Sequence, residues 1–168
     1  DEVSSREGGG SICVITLPFE LAEESEVKKS EELPIDGTID GLSLLLAEDN
    51  ELNAEIAELQ LKEAGADVTI VRDGQQAVDL FIEKPEGTFD AILMDIMMPV
   101  MDGLSATRVI RVLDREDAKT IPIIAMTANA FAEDARRSME AGMNAHLAKP
   151  LDMKKVILTI QKCCDNKK

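Results

Sequence analysis

The stretch AILMDIMMPVMDG, Ala91 to Gly103, sets one aspartate, Asp95, inside a run of apolar side chains. An ionised carboxylate buried alone is costly, so such a residue is expected to be paired or bound to a cation. The apolar residues before it read as a strand buried on both faces. Ile96 to Val100 then form the loop that leaves the strand, with Pro99 shaping its exit. Asp95 therefore stands at the carboxyl end of a central strand.

The residues on either side repeat this pattern. LSLLLA (Leu42 to Ala47) is a first strand, and Asn50 caps a helix running to about Ala64, with Ile56 and Leu59 inward and Gly65 as its stop. DVTIV (Asp67 to Val71) is a second strand, and Asp73-Gly74 turns into a helix carrying Ala77, Leu80 and Phe81. FDAILMD is the third strand, followed by a helix from about Leu104 to Leu113. IPIIAM (Ile121 to Met126) is the fourth, followed by a helix from about Ala130 to Ala141. MNAHLA (Met143 to Ala148) is the fifth. From about Leu151 a last helix places Met153, Val156, Ile157 and Ile160 on one face. Five βα units in succession predict an α/β, doubly wound parallel sheet with right-handed crossovers.

Residues 1–41 differ in kind. Positions 1–40 hold eleven acidic residues against three basic ones, Arg6, Lys28 and Lys29. Residues 1–21 include a single expected strand, Ile12 to Leu17, entered through Gly8-Gly9-Gly10 and ended at Pro18. One strand is not stable alone, so it is expected to pair with the main domain or a neighbouring molecule, or to stay mobile. Residues 22–41 read as an acidic linker punctuated by Pro34 and Gly37, and residues 42–168 as the main domain.

Composition narrows the function. The chain has 168 residues, 45% of them hydrophobic and 30% charged, with a net charge of −15. That balance argues against nucleic acid or an anionic membrane as direct partner, since phosphate contacts need clustered Lys and Arg. No apolar run reaches the roughly 18 to 20 residues needed to span a bilayer. Cys13, Cys163 and Cys164 make neither a metal-ligand spacing nor a disulfide framework, which fits a reducing compartment. Because Asp1 stands first and no signal-peptide pattern follows, a segment of a longer chain is expected.

In open α/β sheets ligands bind beyond the carboxyl ends of the strands. There the chain offers Glu48 and Asp49 after the first strand, Asp95 after the third, Thr127 after the fourth, and Lys149-Pro150 after the fifth. Each alone has a plain reading: a helix start, a turn, a strand end. Jointly they make a chemistry. Clustered carboxylates are relieved by raised pKa values or by a cation, and oxygen-only ligation selects a hard divalent ion such as Mg²⁺. Lys149 and Thr127 suit an anion arriving beside the metal. A phosphoryl group fits, since carboxylates serve as phosphoryl acceptors.

Ala47-Glu48-Asp49-Asn50, LMDIMMPVMDG, AMTANA and AKPL, in this order, resemble the signatures of the receiver domain of two-component response regulators. The resemblance covers about Gly41 to Cys164 and implies a flavodoxin-like (βα)5 sheet of strand order 2-1-3-4-5. It implies that Asp95 is the phosphoacceptor and that Glu48, Asp49, Asp95 and the backbone carbonyl of Met97 hold Mg²⁺. Thr127, the amide of Ala128 and Lys149 would hold the phosphoryl oxygens, and Lys149-Pro150 would be cis. The family's switch pairs the threonine with an aromatic residue three before the lysine; here that position is His146, the chain's one histidine.

The stretch SREGGGSICVITLPFEL resembles the last strand of a histidine kinase ATP-binding domain. The implied parent is a cytoplasmic or membrane-anchored hybrid sensor histidine kinase, although this segment has no kinase core. His146 lies in a strand, so the phosphohistidine must come from a kinase or a histidine phosphotransfer domain. No basic effector helix follows Cys164, which points to a phosphorelay. Two other readings stand beside this one. A haloacid-dehalogenase-type phosphatase would need two aspartates two residues apart after the first strand, but Asp95 follows the third and position 97 is Met. A pseudo-receiver scaffold would not need the complete acidic set with Thr127 and Lys149.

Overall fold

The strand that ends at Asp95 lies in the middle of a five-stranded parallel sheet. The computed structural model describes residues 2–5, 11–14, 38–128 and 132–165. The chain divides into two units, Asp1–Pro34 and Ile35–Lys168. In the first, β1 (Glu2–Ser5) and β2 (Ser11–Val14) pair antiparallel, Glu2 opposite Val14 and Ser5 opposite Ser11. The single strand expected over Ile12 to Leu17 is thus one of two, each four residues long. Its last residues and the linker up to residue 37 lie outside the described residues.

The second unit runs β3 (Ser43–Ala47), α1 (Glu51–Glu63), β4 (Asp67–Val71), α2 (Gly74–Glu83), β5 (Ala91–Asp95), α3 (Gly103–Arg111), α4 (Glu116–Thr120), β6 (Ile123–Thr127), α5 (Ala132–Ala141), β7 (Ala145–Ala148) and α6 (Met153–Asp165). The sheet order β4-β3-β5-β6-β7 is the expected 2-1-3-4-5 counted from β3. Alternation along each strand feeds two cores. Leu45, Ala47, Ile92, Met94, Ile123 and Ala125 meet Phe81 of α2 and Ile110 of α3 on one face. Leu44, Leu46, Leu93, Ile124 and Met126 meet Leu61 of α1 and Val156 and Ile160 of α6 on the other. β5 and β6 are buried at every position, whereas the edge strand β4 alternates exposed and partly buried residues before its buried last residue, Val71.

Three helices that start at the carboxyl ends of strands are capped alike. Asn50 accepts from Asn53 N–H at 3.0 Å, Asp73 from Gln76 N–H at 2.8 Å, and Asp102 from Ser105 N–H at 2.8 Å. Each side chain satisfies a donor that a helix start leaves open, and each fixes where a strand-to-helix loop ends.

One expectation needs correction. Ile56 and Leu59 do not face inward: they are 49% and 61% exposed. α1 instead packs through Ala54, Ala57 and Leu61, because small residues let the helix lie close to the sheet. The helix α4 was not anticipated. Five residues with one buried side chain, Ala118, carry no readable period, and tertiary contacts hold the helix in place.

Arg111 supplies several of those contacts. Its guanidinium donates to the carbonyls of Gly142 (2.9 Å), Ala118 (2.7 Å) and Ile121 (2.8 Å) and to Asn144 Oδ1 (2.8 Å). It thereby ties α3, α4, the start of β6 and the α5–β7 turn together. All four acceptors are neutral, and burial pushes the Arg111 pKa below its usual value. Arg115 acts similarly at the end of α2, lying 4.5 Å over the Phe81 ring while donating to the Lys84 carbonyl (2.9 Å) and to Asp117. Arg111→Met leaves three backbone carbonyls without this donor. The expected loss is about 2–4 kcal/mol in urea unfolding, with an unchanged m-value.

Candidate functional site

Four strands deliver polar groups to one mouth of the sheet. β3 ends in Glu48 and Asp49, β5 in Asp95, β6 in Thr127, and β7 runs into Lys149. Glu48, Asp95 and Thr127 are buried, while Asp49 is exposed. One carboxylate oxygen each from Glu48, Asp49 and Asp95 lies within 4.8 Å of the others. The Lys149 ammonium is placed between two of them, 2.6 Å from Glu48 Oε2 and 2.6 Å from Asp95 Oδ2.

Backbone bonds hold these groups in register. Glu48 N–H donates to the Val71 carbonyl, Ile96 N–H to the Met126 carbonyl and Lys149 N–H to the Thr127 carbonyl, at 3.1, 3.0 and 2.7 Å. The other Asp95 oxygen, Oδ1, accepts from Met97 N–H at 3.1 Å. The Lys149-Pro150 bond is cis, as the resemblance implied. Glycine at 103 is a packing requirement, since a Cβ there would overlap the Asp95 carbonyl.

Burial raises the Asp95 pKa; the hydrogen bond and charge of Lys149 and the Met97 N–H pull it down, Glu48 pushes it up, and the net shift is upward. For Lys149, burial lowers the pKa, but hydrogen bonds to Asp95 and Glu48 more than reverse this, and it ends above the usual lysine value. The ammonium is therefore the local counter-charge of a desolvated carboxylate cluster. The donor set is all oxygen, with one exposed member as an entry. It fits a hard divalent cation and offers nothing to a soft one.

Thr127 and Ala128 border an open cavity of about 650 Å³, which Asp49 and Met97 also line. His146 is exposed on the edge strand β7, with Ala125 as its partner in β6. Two contributors escaped the reading of the sequence. Asn53 donates Nδ2 to Glu48 Oε1 at 3.2 Å, and Gly74 N–H donates to the Met101 carbonyl at 3.0 Å. An asparagine inside a first helical turn, where it is a weak helix former, is a usable signal for the former.

A family model described as the response regulator receiver domain matches residues 44–161. The chain belongs to this family. Over 113 residues this receiver is 40% identical to "Hybrid signal transduction histidine kinase I" of Dictyostelium discoideum, a match that takes in 66% of the chain and 6% of that relative's length. Among solved structures, the receiver domain of sensor histidine kinase PA1611 from Pseudomonas aeruginosa, which has a magnesium ion coordinated in its active-site cleft, is 42% identical. It covers 74% of this chain and 98% of that one, with a TM-score of 0.67. The receiver domain of the Saccharomyces cerevisiae response regulator Ssk1, co-crystallised with the histidine phosphotransfer protein Ypd1, is 26% identical with a TM-score of 0.68, covering 77% of this chain and 92% of that one.

Removing the counter-charge of this receiver has a defined consequence. Lys149→Met leaves Glu48 and Asp95 facing each other without a cation, and about 3 kcal/mol of stability is expected to be lost in metal-free urea unfolding at neutral pH. The deficit should shrink on addition of a divalent cation. Because Lys149 titrates above its ordinary 10.5, its stabilisation is complete below that pH and is lost as pH rises beyond it. Alkaline unfolding curves should therefore converge for wild type and Lys149→Met, the wild type falling more steeply above pH 10.5.

Proposed function

We propose that this receiver is a Mg²⁺-dependent phosphoacceptor that takes a phosphoryl group from phosphohistidine onto Asp95 and passes it along a phosphorelay. The observation that carries this is the convergence of the Lys149 ammonium and two further carboxylates on Asp95 at the end of the central strand. Glu48, Asp49, Asp95 and the Met97 carbonyl hold the cation. When bound, Mg²⁺ neutralises charge on the transferring phosphoryl oxygens.

In the transfer, an Asp95 oxygen attacks phosphorus and forms the new P–O bond. The P–N bond of the donor breaks, its electron pair returns to the imidazole, and a proton from solvent restores the neutral ring. Lys149, freed from a carboxylate that has become an acyl phosphate, pairs with a phosphoryl oxygen. The Thr127 hydroxyl and the Ala128 amide take the others. Thr127 moving toward the phosphoryl group, with His146 in the partner position, forms the switch that biases the surface of α5, β7 and α6.

The donor is a phosphohistidine-bearing kinase or a histidine phosphotransfer domain. Leu52, Ile56 and Leu59 are exposed along one stripe of α1, beside a groove of about 200 Å³ lined by Ile56, Ala57, Lys149 and Leu151. A helix carrying the histidine lies along that stripe. The Ssk1 receiver and its phosphotransfer partner support this choice. We further infer that residues 42–168 form the receiver of a hybrid sensor histidine kinase acting in the cytoplasm, that residues 1–21 end its ATP-binding domain, and that residues 22–41 link the two. No helix among the described residues is long and apolar enough to cross a membrane.

The test uses the chain with Mg²⁺ and acetyl phosphate or beryllofluoride. Stable, hydroxylamine-sensitive modification of the wild type is expected, with none in Asp95→Asn; no difference between the two overturns the reading. A second variant separates docking from chemistry. Ile56→Glu should slow transfer from a phosphorylated phosphotransfer domain about tenfold or more, an anchor loss of the size seen at interface centres, and leave acetyl phosphate labelling unchanged.

A further inference from the structure

The loop between Asp95 and Gly103 carries the Met97 carbonyl assigned above to the cation, and its course is held from two sides. At its base, Gly103 N–H donates to the Ile96 carbonyl at 3.0 Å and closes the loop. At its far end, Met101 N–H bonds back to the Pro99 carbonyl at 2.7 Å across Val100. Val100 has φ +65° and is 85% exposed. A β-branched residue rarely adopts that conformation, and it persists where the surroundings over-determine it. Val100 itself packs against little, so the constraint comes from its neighbour.

That neighbour, Met101, rests on the first residue of α2. Gly74 N–H donates to the Met101 carbonyl at 3.0 Å. A Cβ on Gly74 would stand 2.5 Å from the Met101 carbonyl oxygen, 3.1 Å from the Asp102 carbonyl oxygen and 3.0 Å from Ala106 Cβ. The first two are backbone atoms that cannot rotate aside, so a side chain at 74 has to move the loop or the helix. The Gly74 N–H is also one of the donors that a helix start leaves without an intrahelical acceptor, Asp73 having capped Gln76. Loop and helix therefore meet backbone to backbone.

We propose that Gly74 is a positioning residue for the metal centre: by seating Met101 against α2, it sets where the Met97 carbonyl stands relative to Asp95. The inference rests on the Mg²⁺ reading above.

The test compares two cations. Mg²⁺ demands near-octahedral ligands, whereas Ca²⁺ tolerates irregular ones, so Gly74→Ala should weaken Mg²⁺ about tenfold and Ca²⁺ less than about twofold, measured calorimetrically. Gly87→Ala is the matched control. Gly87 has φ +78° with nothing within 4 Å of an added Cβ, so this change strains the backbone far from the loop and should leave the Mg²⁺/Ca²⁺ ratio alone. A ratio unchanged in Gly74→Ala, or shifted equally in both variants, overturns the proposal.

Wild-type hydrogen exchange tests the same link without relying on a variant to fold. Binding at one end of a coupled loop must protect the other, so Mg²⁺ should slow exchange of the Gly74 amide about fivefold more than that of Gly41, which bonds the Gly65 carbonyl. Equal effects at the two amides overturn the proposal. Wild type that takes up neither cation defeats the Mg²⁺ reading itself, whereas wild type that binds Mg²⁺ with an unaltered ratio in Gly74→Ala defeats the positioning role alone.

Discussion

The ammonium of Lys149, 2.6 Å from both Glu48 and Asp95, is the interaction on which the rest of the site depends. Two buried carboxylates with no cation between them would either protonate or force the strand ends apart. With the ammonium in place they remain close enough to Asp49 to present three oxygens together. The upward shift at Asp95 shows that burial still works against its charge despite this partner. A receiver site of this kind holds unrelieved negative charge near the surface. A divalent cation suits that imbalance.

The architecture supplies the convergence. Parallel strands place their carboxyl ends on one side, and the doubly wound order puts β3, β5 and β6 side by side with β7 next to them. Residues separated by 54 positions, Asp95 and Lys149, thus meet through side chains of ordinary length. Helix caps at Asn50, Asp73 and Asp102 end the loops at that same edge of the sheet. The opposite edge is held by Arg111 and Arg115, whose guanidinium groups gather carbonyls from turns with little regular structure of their own. Chemistry and stapling occupy different ends of the same strands.

Much of this was legible in advance. The apolar runs located all five strands of the sheet, DVTIV with its observed limits, and the polar residues that end them named the acidic set, Thr127 and Lys149. Other features were not. The face of α1 was misread because Ile56 and Leu59 were assigned to the core, whereas Ala54, Ala57 and Leu61 make the close packing. The helix α4 is too short for periodicity to reveal it, and the Gly74 contact depends on a carbonyl 27 residues away. The strand partner of Ser11–Val14 was likewise unread, because Glu2–Ser5 has no alternation strong enough to mark it.

By itself, the sequence determined the fold class and which polar residues end the strands, because both follow from local patterns: hydrophobic period, turn residues, and the type of side chain that ends each strand. Only the tertiary structure decided how those side chains are used. It put Lys149 between two carboxylates, turned the apolar stripe of α1 outward, left His146 exposed on an edge strand, and rested the loop after Asp95 on Gly74. Each of these depends on how elements far apart in the chain pack together, and chain-local patterning carries no record of that packing.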